Sequence, residues 1–532
     1  MLALQLDTIV NRSGEAIMDT RQPAPIRRSR VCWLLAGGVA LSGVVGAAPP
    51  QDAALLALEP VMVDGRVLMK AEADGTHQAP VVRALTGALA NALAREARSG
   101  ATAFVLQLDA AAQRLQGRAR PQPTYLLVSE EEGGFARHGF WLARTAATPQ
   151  WHDEPYVDLV VDEDSIADGS FEEIFAHETG HVLLRRLLPS LPAGYSRVPH
   201  SSLAITDYPT AFDEGFAIHF QALARQLTRN TRLRLADAGF GSKPFVPYWR
   251  DALDRGLRIR GVRDNLFVQR QLPSAQATAA SPDATTLFDP GELKNGQQMM
   301  ASEGVIATLF YHLLDEPADN RAALLGRYLQ LMRSLRALNP QTTDPATPVF
   351  VRLVQEHIRM FPESRAPWLN TVIGLTYGAT VDARLAQQAG ELARLGLQGD
   401  APRFAAQLAP ARQALRQCME AVLREPQRLD GALGPEVWAA VPAAPQPAPA
   451  AAPPADPALA SVNLNTAERG SLLLWLKLDA LSAERALASR AAQGPFSDLG
   501  DFVRRAALDA EHEAQLRSGA AQLIAAGPFA RE

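Results

Sequence analysis

Ser170-Phe171-Glu172-Glu173-Ile174-Phe175-Ala176-His177-Glu178-Thr179-Gly180-His181 is the stretch on which the reading of the fold turns. Ser170 followed by Glu173 is a capping-box pattern and predicts a helix start. Ile174, Phe175, Val182, Leu183, Leu184, Leu187 and Leu188 make that helix largely apolar, and Pro189 ends it. His177 and His181 are four apart, so they lie one turn apart on one face and can address a single ion. Glu178 stands beside them, placed to take a proton from a metal-polarised water. Chance produces H-E-x-x-H in roughly one chain in a hundred of this length and composition. A buried helix carrying two His and a Glu also needs a reason for its polar cost. The stretch therefore predicts Zn²⁺ on His177 and His181, with Glu178 as general base.

A catalytic zinc takes three protein ligands and keeps one position open. Thr210-Ala211-Phe212-Asp213-Glu214-Gly215-Phe216-Ala217-Ile218-His219-Phe220 reads as a second amphipathic helix, and Glu214 is the candidate third ligand. Glu214 is otherwise a solvated helix charge, but Phe212, Phe216, Ala217 and Phe220 surround it with apolar residues. H-E-x-x-H followed by a helix with E-G-F-A is similar to the gluzincin metallopeptidases, notably the aminopeptidase-N family. Ala301-Ser302-Glu303-Gly304-Val305-Ile306-Ala307 through Tyr311-His312-Leu313-Leu314 resembles that family's later helix. The resemblance runs over 124–315 and is carried by the two ligand segments. It implies zinc on His177, His181 and Glu214, the base at Glu178, and a peptide or protein substrate.

The chain departs from that family at two places. Ala301 stands where the family has an oxyanion-steadying Tyr, and no G-x-M-E-N precedes His177, so nothing supports aminopeptidase specificity. Tyr208, His219, Tyr311 and His312 are the candidate oxyanion donors, each also readable as a packed or surface residue. His200 reads as a loop residue.

The chain has 532 residues, 47% of them hydrophobic, and a net charge of −5. That length exceeds one core and implies two or three domains. Its basic residues are nearly all Arg, and the acidic balance argues against nucleic-acid binding. Two cysteines, Cys32 and Cys418, build no disulfide framework. Arg27, Arg28 and Arg30 precede an apolar run, Val31–Ala47, that ends in small residues. Residues 1–47 read as a signal peptide, with translation from Met1 or Met18 and a periplasmic or secreted destination. The other reading of this run is an uncleaved membrane anchor, though it is short and Gly-rich for a span.

The expected fold class is α+β. A zincin-like catalytic domain, a mixed sheet with active-site helices, occupies 48–240, and a helical domain occupies 241–440. An Asp64-Gly65 hairpin is expected over 61–69 and helices over 81–98 and 101–115. Strands are expected at Tyr125–Ser129, Phe135–Ala143 and Tyr156–Val161, the last as the edge strand that pairs with substrate. Helices are expected at Ala322–Leu338, Val349–Met360, Ala383–Leu395 and Arg403–Leu423, with Cys418 a buried small residue. A Pro/Ala-rich linker fills 441–461.

Residues 462–532 follow as a small all-α module. Val462-Asn463-Leu464-Asn465-Thr466-Ala467 and Arg490 with Gly494-Pro495-Phe496-Ser497-Asp498-Leu499 resemble the helix-hairpin-helix domain of competence DNA-uptake proteins. Those domains grip phosphate through G-I-G hairpins. Here the matching hairpins are Lys477-Leu478-Asp479 and Ala507-Leu508-Asp509, which keep the apolar centre and replace both glycines. From Ser461 to Glu532 there are eight basic and nine acidic residues, so the module has no attractive field for DNA. A protein-docking role is expected instead. Taken together, the residues predict an exported zinc metallopeptidase; the alternative is a catalytically impaired zinc-fold scaffold that docks through its C-terminal module.

Overall fold

Among the described residues eight strands come before the H-E-x-x-H helix: β1 Leu55–Pro60, β2 Met62–Val63, β3 Arg66–Val67, β4 Met69–Ala71, β5 Gln78–Ala84, β6 Thr124–Val128, β7 Gly134–Leu142 and β8 Gln150–Leu159. The computed structural model describes residues 54–526 except 73–74, 76, 132, 145–147, 197, 199–200, 239–257, 272–287, 316, 318–319, 339–346 and 442–459. The segment read as an export signal, with Cys32, and the loop residue His200 lie outside the described residues. Among the described residues no helix is long and apolar enough to cross a membrane.

The sheet order is β1-β6-β8-β7-β5-β4, and β1 also pairs with β5, which closes five of the strands on themselves. Leu58, Val82, Tyr125, Leu127, Phe140, Leu142 and Tyr156 fill the inside of that closed sheet. β2 and β3 form the expected hairpin, with Asp64 and Gly65 both at positive φ as a type I′ turn demands. The helix expected from 81 begins later. Val81 to Ala84 belong to β5, where β-branched Val81 and Val82 pair with Trp141 and Leu142, and α1 is Ala88–Glu96. α2 is Gly100–Leu115. β8 is no edge strand: it is hydrogen-bonded to β6 on one side and β7 on the other. Its central place follows from its near-continuous burial.

α3, Glu163–Asp168, leads into α4, Ser170–Leu187, which carries the two histidines. Ser170 does not cap α4. The N-cap is Gly169 at φ 87°, and Glu173 is buried in a pair with Arg225 at 3.0 Å. α5, Tyr208–Leu227, is capped by Asp207, whose carboxylate accepts from the Thr210 N–H at 2.7 Å. α4 and α5 touch through small residues: a Cβ on Gly180 would stand 2.9 Å from Ala217 Cα. Arg225 and Glu173 tie the helices on the same side, and Glu172 accepts from the Ala101 N–H at 2.6 Å.

α6 is Thr231–Ala238, and a short ladder of β9 Gln269–Gln271 and β10 Phe288–Leu293 follows. The helical part consists of α7 Gly296–Met300, α8 Glu303–Leu313, α9 Arg321–Ala337, α10 Val349–Met360, α11 Arg365–Leu375, α12 Ala383–Leu397 and α13 Ala401–Arg424. One apolar core runs from Leu93 to Leu429, so residues of 48–240 and of 241–440 are buried together. Cys418 packs half-buried against it.

β11, Trp438–Val441, and β12, Ala460–Asn463, pair antiparallel, Val441 opposite Ala460. The two ends of the Pro/Ala-rich stretch are thus held in one ladder; its interior lies outside the described residues. α14 Arg469–Leu474, α15 Ala480–Gln493, α16 Leu499–Ala506 and α17 Ala510–Ala526 complete the chain. Their core takes in Val437 and Ala439 from ahead of that stretch, packed with Leu464, Leu472, Phe496 and Phe502. The module is fastened to the start of α5. Tyr208 N–H donates to Glu436 Oε1 at 3.0 Å, and Ser461 donates to the Tyr195 carbonyl at 2.6 Å. Gln298 donates to the Thr466 carbonyl at 2.9 Å.

Candidate metal centre

The close contact at Gly180 brings Glu214 across to the two histidines. Their ring centroids are 5.0 Å apart, and each Nε2 lies 3.7 Å from Glu214 Oε2. Among the described residues these three form the one His/Cys/Asp/Glu group able to hold a metal, their ligand atoms all within 4.8 Å of one another. Tetrahedral ligands at ordinary zinc distances would stand about 3.4 Å apart, so this donor set fits with little adjustment. The local charge fits as well. Glu178, Asp213 and Glu214 put three carboxylates around two imidazoles in a largely buried site, an excess of negative charge that a divalent cation balances.

Asp213 was not legible in the sequence as a site residue. Its Oδ1 is 2.9 Å from His181 Nδ1. With the proton on Nδ1 shared with Asp213, the Nε2 lone pair is left for the ion. With no cation present, burial lowers the His181 pKa but Glu214 and Asp213 outweigh it and raise it to about 9, so a metal binding there would displace the Nε2 proton. The signal that could have found Asp213 is its place next to Glu214; which neighbour it faces depends on the packing of α4 on α5.

Glu178 is 6% exposed, its Oε1 4.0 Å from His177 Nε2, and it is not part of the three-donor group. Burial pushes its carboxyl up to about 7, with Glu214 adding and His181 opposing. Gly134, the first residue of β7, presses against it: a Cβ there would stand 2.6 Å from Glu178 Oε1. Beyond the Val81–Trp141 and Val82–Leu142 pairs, the outer edge of β7 from Gly134 to Phe140 has no strand partner among the described residues. The open edge beside the site therefore belongs to β7 and not to Tyr156–Val161.

The family's Tyr position offers no donor. Ala301 is fully buried and its carbonyl accepts from the Thr206 N–H at 2.8 Å, which, with the Ile205–Ser302 bridge, holds the loop that enters α5. Tyr208 hydroxyl donates to the Gly434 carbonyl at 3.2 Å. His219 sits among Phe216, Phe310 and Tyr328, with Nε2 3.0 Å from the Tyr328 hydroxyl, and burial pushes its pKa down to about 3. His312 Nε2 lies 3.3 Å from the Val262 carbonyl, and Tyr311 stands edge-on to it. These contacts join Tyr208, His219 and His312 to groups outside the donor set.

At the C-terminal hairpins Lys477 and Ala507 take the left-handed conformation, φ 53° and 54°, that glycine would favour. The Asp residues that follow cap helices. Asp479 accepts from the Leu481 and Ser482 N–H groups, and Asp509 from the His512 N–H at 2.8 Å. No family model, curated protein or solved structure matches the chain.

Proposed function

We propose that the chain is a zinc-dependent peptidase of the gluzincin type on a zincin-like fold, acting on an extended peptide. The observation that carries this reading is a buried carboxylate, Glu178, beside a complete three-ligand donor set without belonging to it. A pure metal-binding scaffold has no use for it. His177, His181 and Glu214 would hold the ion, and Asp213 orients His181. A zinc ion supplies polarisation of a carbonyl and acidification of a water. Glu178 takes the proton from the attacking water at a carboxylate oxygen and delivers it to the leaving amine nitrogen. The outer edge of Gly134–Phe140, which has no strand partner among the described residues, pairs with the substrate backbone and holds the scissile bond over the site. The C-terminal module docks protein, not DNA, because Asp479 and Asp509 already occupy helix N-terminal N–H groups that would meet phosphate.

A catalytically impaired binding protein is the second reading, favoured by Ala301, which has no side-chain donor where the family has its Tyr. One experiment separates the two. Wild type and Glu178→Gln are assayed for zinc per chain and for cleavage of a peptide library. The expected result is one zinc in both, and hydrolysis that falls about 10²–10⁴-fold in the variant. Zinc without hydrolysis in wild type would establish the binding reading.

A further inference from the structure

The closed sheet leaves a cavity of about 990 Å³ where β7 and β5 part company, on the face of β7 turned away from α4. Side chains alternate along β7. Gly134 and Ala136 face the catalytic helix, whereas Arg137 turns inward and pairs with Asp158 Oδ2 at 3.0 Å. A peptide paired to the open edge of β7 must alternate in the same way. A residue opposite Arg137, three along from the one facing Glu178, then turns its side chain into this cavity. Its rim is apolar and open: Met62 is 52% exposed, Met69 47% and Val67 40%. Its charged lining is acidic, with Glu59, Glu130, Glu131 and Asp158 against Arg83 and Arg137. Asp158 is only 4% exposed, and burial holds its carboxyl above the ordinary value although Ser129 and Arg137 oppose this. Arg137 is shared between Asp158 and Glu131, the latter at 2.7 Å, so two carboxyl groups compete for one guanidinium.

Resting on the peptidase reading for the substrate's path along β7, we infer that this cavity is the specificity pocket and takes a lysine or arginine side chain of the substrate. The Met62, Val67 and Met69 rim covers the aliphatic stem, and Glu131 with Asp158 receives the cationic end. The flexible thioethers of two methionines suit stems of either length.

The test uses the full chain carrying Glu178→Gln, which keeps the binding groove without turnover. The probes are fluorescent Ala/Thr decapeptides with one lysine at successive positions, and the same set with norleucine, which has the stem without the charge. The expected result is a register in which the lysine peptide binds about tenfold tighter than its norleucine twin, the scale of a charge-assisted hydrogen bond. Glu131→Lys, at an exposed position, and Asp158→Asn should each erase that ratio while leaving the norleucine peptide's affinity in place. Equal binding of the two sets, no binding of either, or a ratio that survives Glu131→Lys overturns the pocket. Wild-type hydrolysis of the same peptides is read separately. Cleavage without lysine preference leaves the peptidase standing and removes the pocket; lysine-selective binding without cleavage does the reverse.

Discussion

In α4 and α5 a motif is carried by side chains; at the hairpins 477–479 and 507–509 it is carried by the backbone. His177, His181 and Glu214 form a donor set that could hold a metal, with Glu178 beside it, and small residues at Gly180 and Ala217 let the two helices close. The hairpins keep the left-handed turn at Lys477 and Ala507 but put Asp479 and Asp509 on the helix N–H groups. A metal site works through side chains, so substitution there would remove its chemistry outright. A phosphate-gripping hairpin would work through N–H groups and close approach, and here those N–H groups are capped from within. The contrast also separates two uses of an acidic residue near a helix start. Asp479 is a cap, whereas Glu172 and Glu173 are buried ties between α4 and its neighbours.

The largest expected effect breaks the α4–α5 half of the comparison. Gly180→Val forces side-chain atoms into Ala217 and should cost about 3 kcal/mol, the upper part of the overpacking range. Zinc should be lost with it, because Glu214 is pushed off the two histidines. Urea denaturation with zinc analysis of the folded fraction reads both, and full stability would show that the helices are not in close contact. Asp213→Asn is the gentler probe. The amide can still accept from His181 Nδ1 but loses the charge, and zinc affinity should fall about 10–100-fold with the fold intact. Competition with a chelator measures it; unchanged affinity would mean that Asp213 does not orient the imidazole.

The seam between the two regions responds to pH. Lys294 is buried, donates to the Phe267 carbonyl, and shares a cavity with Glu468 and Trp475 of the module. Burial lowers its pKa to about 7, with Glu468 opposing. An unfolded lysine holds its proton to about pH 10.4. Between pH 7 and 10 the unfolded chain therefore binds more protons, and this group makes folding more favourable as pH rises. Lys294→Met should be most stabilising, relative to wild type, below pH 7, and that advantage should shrink steadily above it. Urea midpoints from pH 6 to 9.5 test this, and a constant difference would place the lysine in water.

The smallest effect lies in the hairpins. Ala507→Gly should stabilise by about 1 kcal/mol, since a left-handed alanine carries a strain that glycine lacks. Hydrogen exchange in α16 and α17 is the measure. Duplex DNA should remain unbound at physiological salt in the same variant, because Asp509 still caps α17. Binding that falls with salt would show that the turn, and not the cap, decides whether the module meets DNA.

Local pattern was enough for much of this molecule. The spacing of His177 and His181, the apolar flanks of Glu214, the Asp64-Gly65 turn and the apolar period of α9, α10, α12 and α13 each concern residues a few positions apart, and helix and strand geometry make such neighbours predictable. Tertiary structure decided the rest. Whether Tyr156–Val161 or Gly134–Leu142 offers the open edge depends on which strands stand beside it, and pairing between distant segments is invisible to period-two alternation. Ser170 reads as a cap until Gly169 takes the left-handed position and Glu173 finds Arg225 far along the chain. Asp213 becomes an orienting group only because Gly180 lets α5 lie against α4. Sequence by itself determined which side chains could serve a metal; packing determined which of them meet, because contacts between remote segments depend on shape and burial that no local window contains.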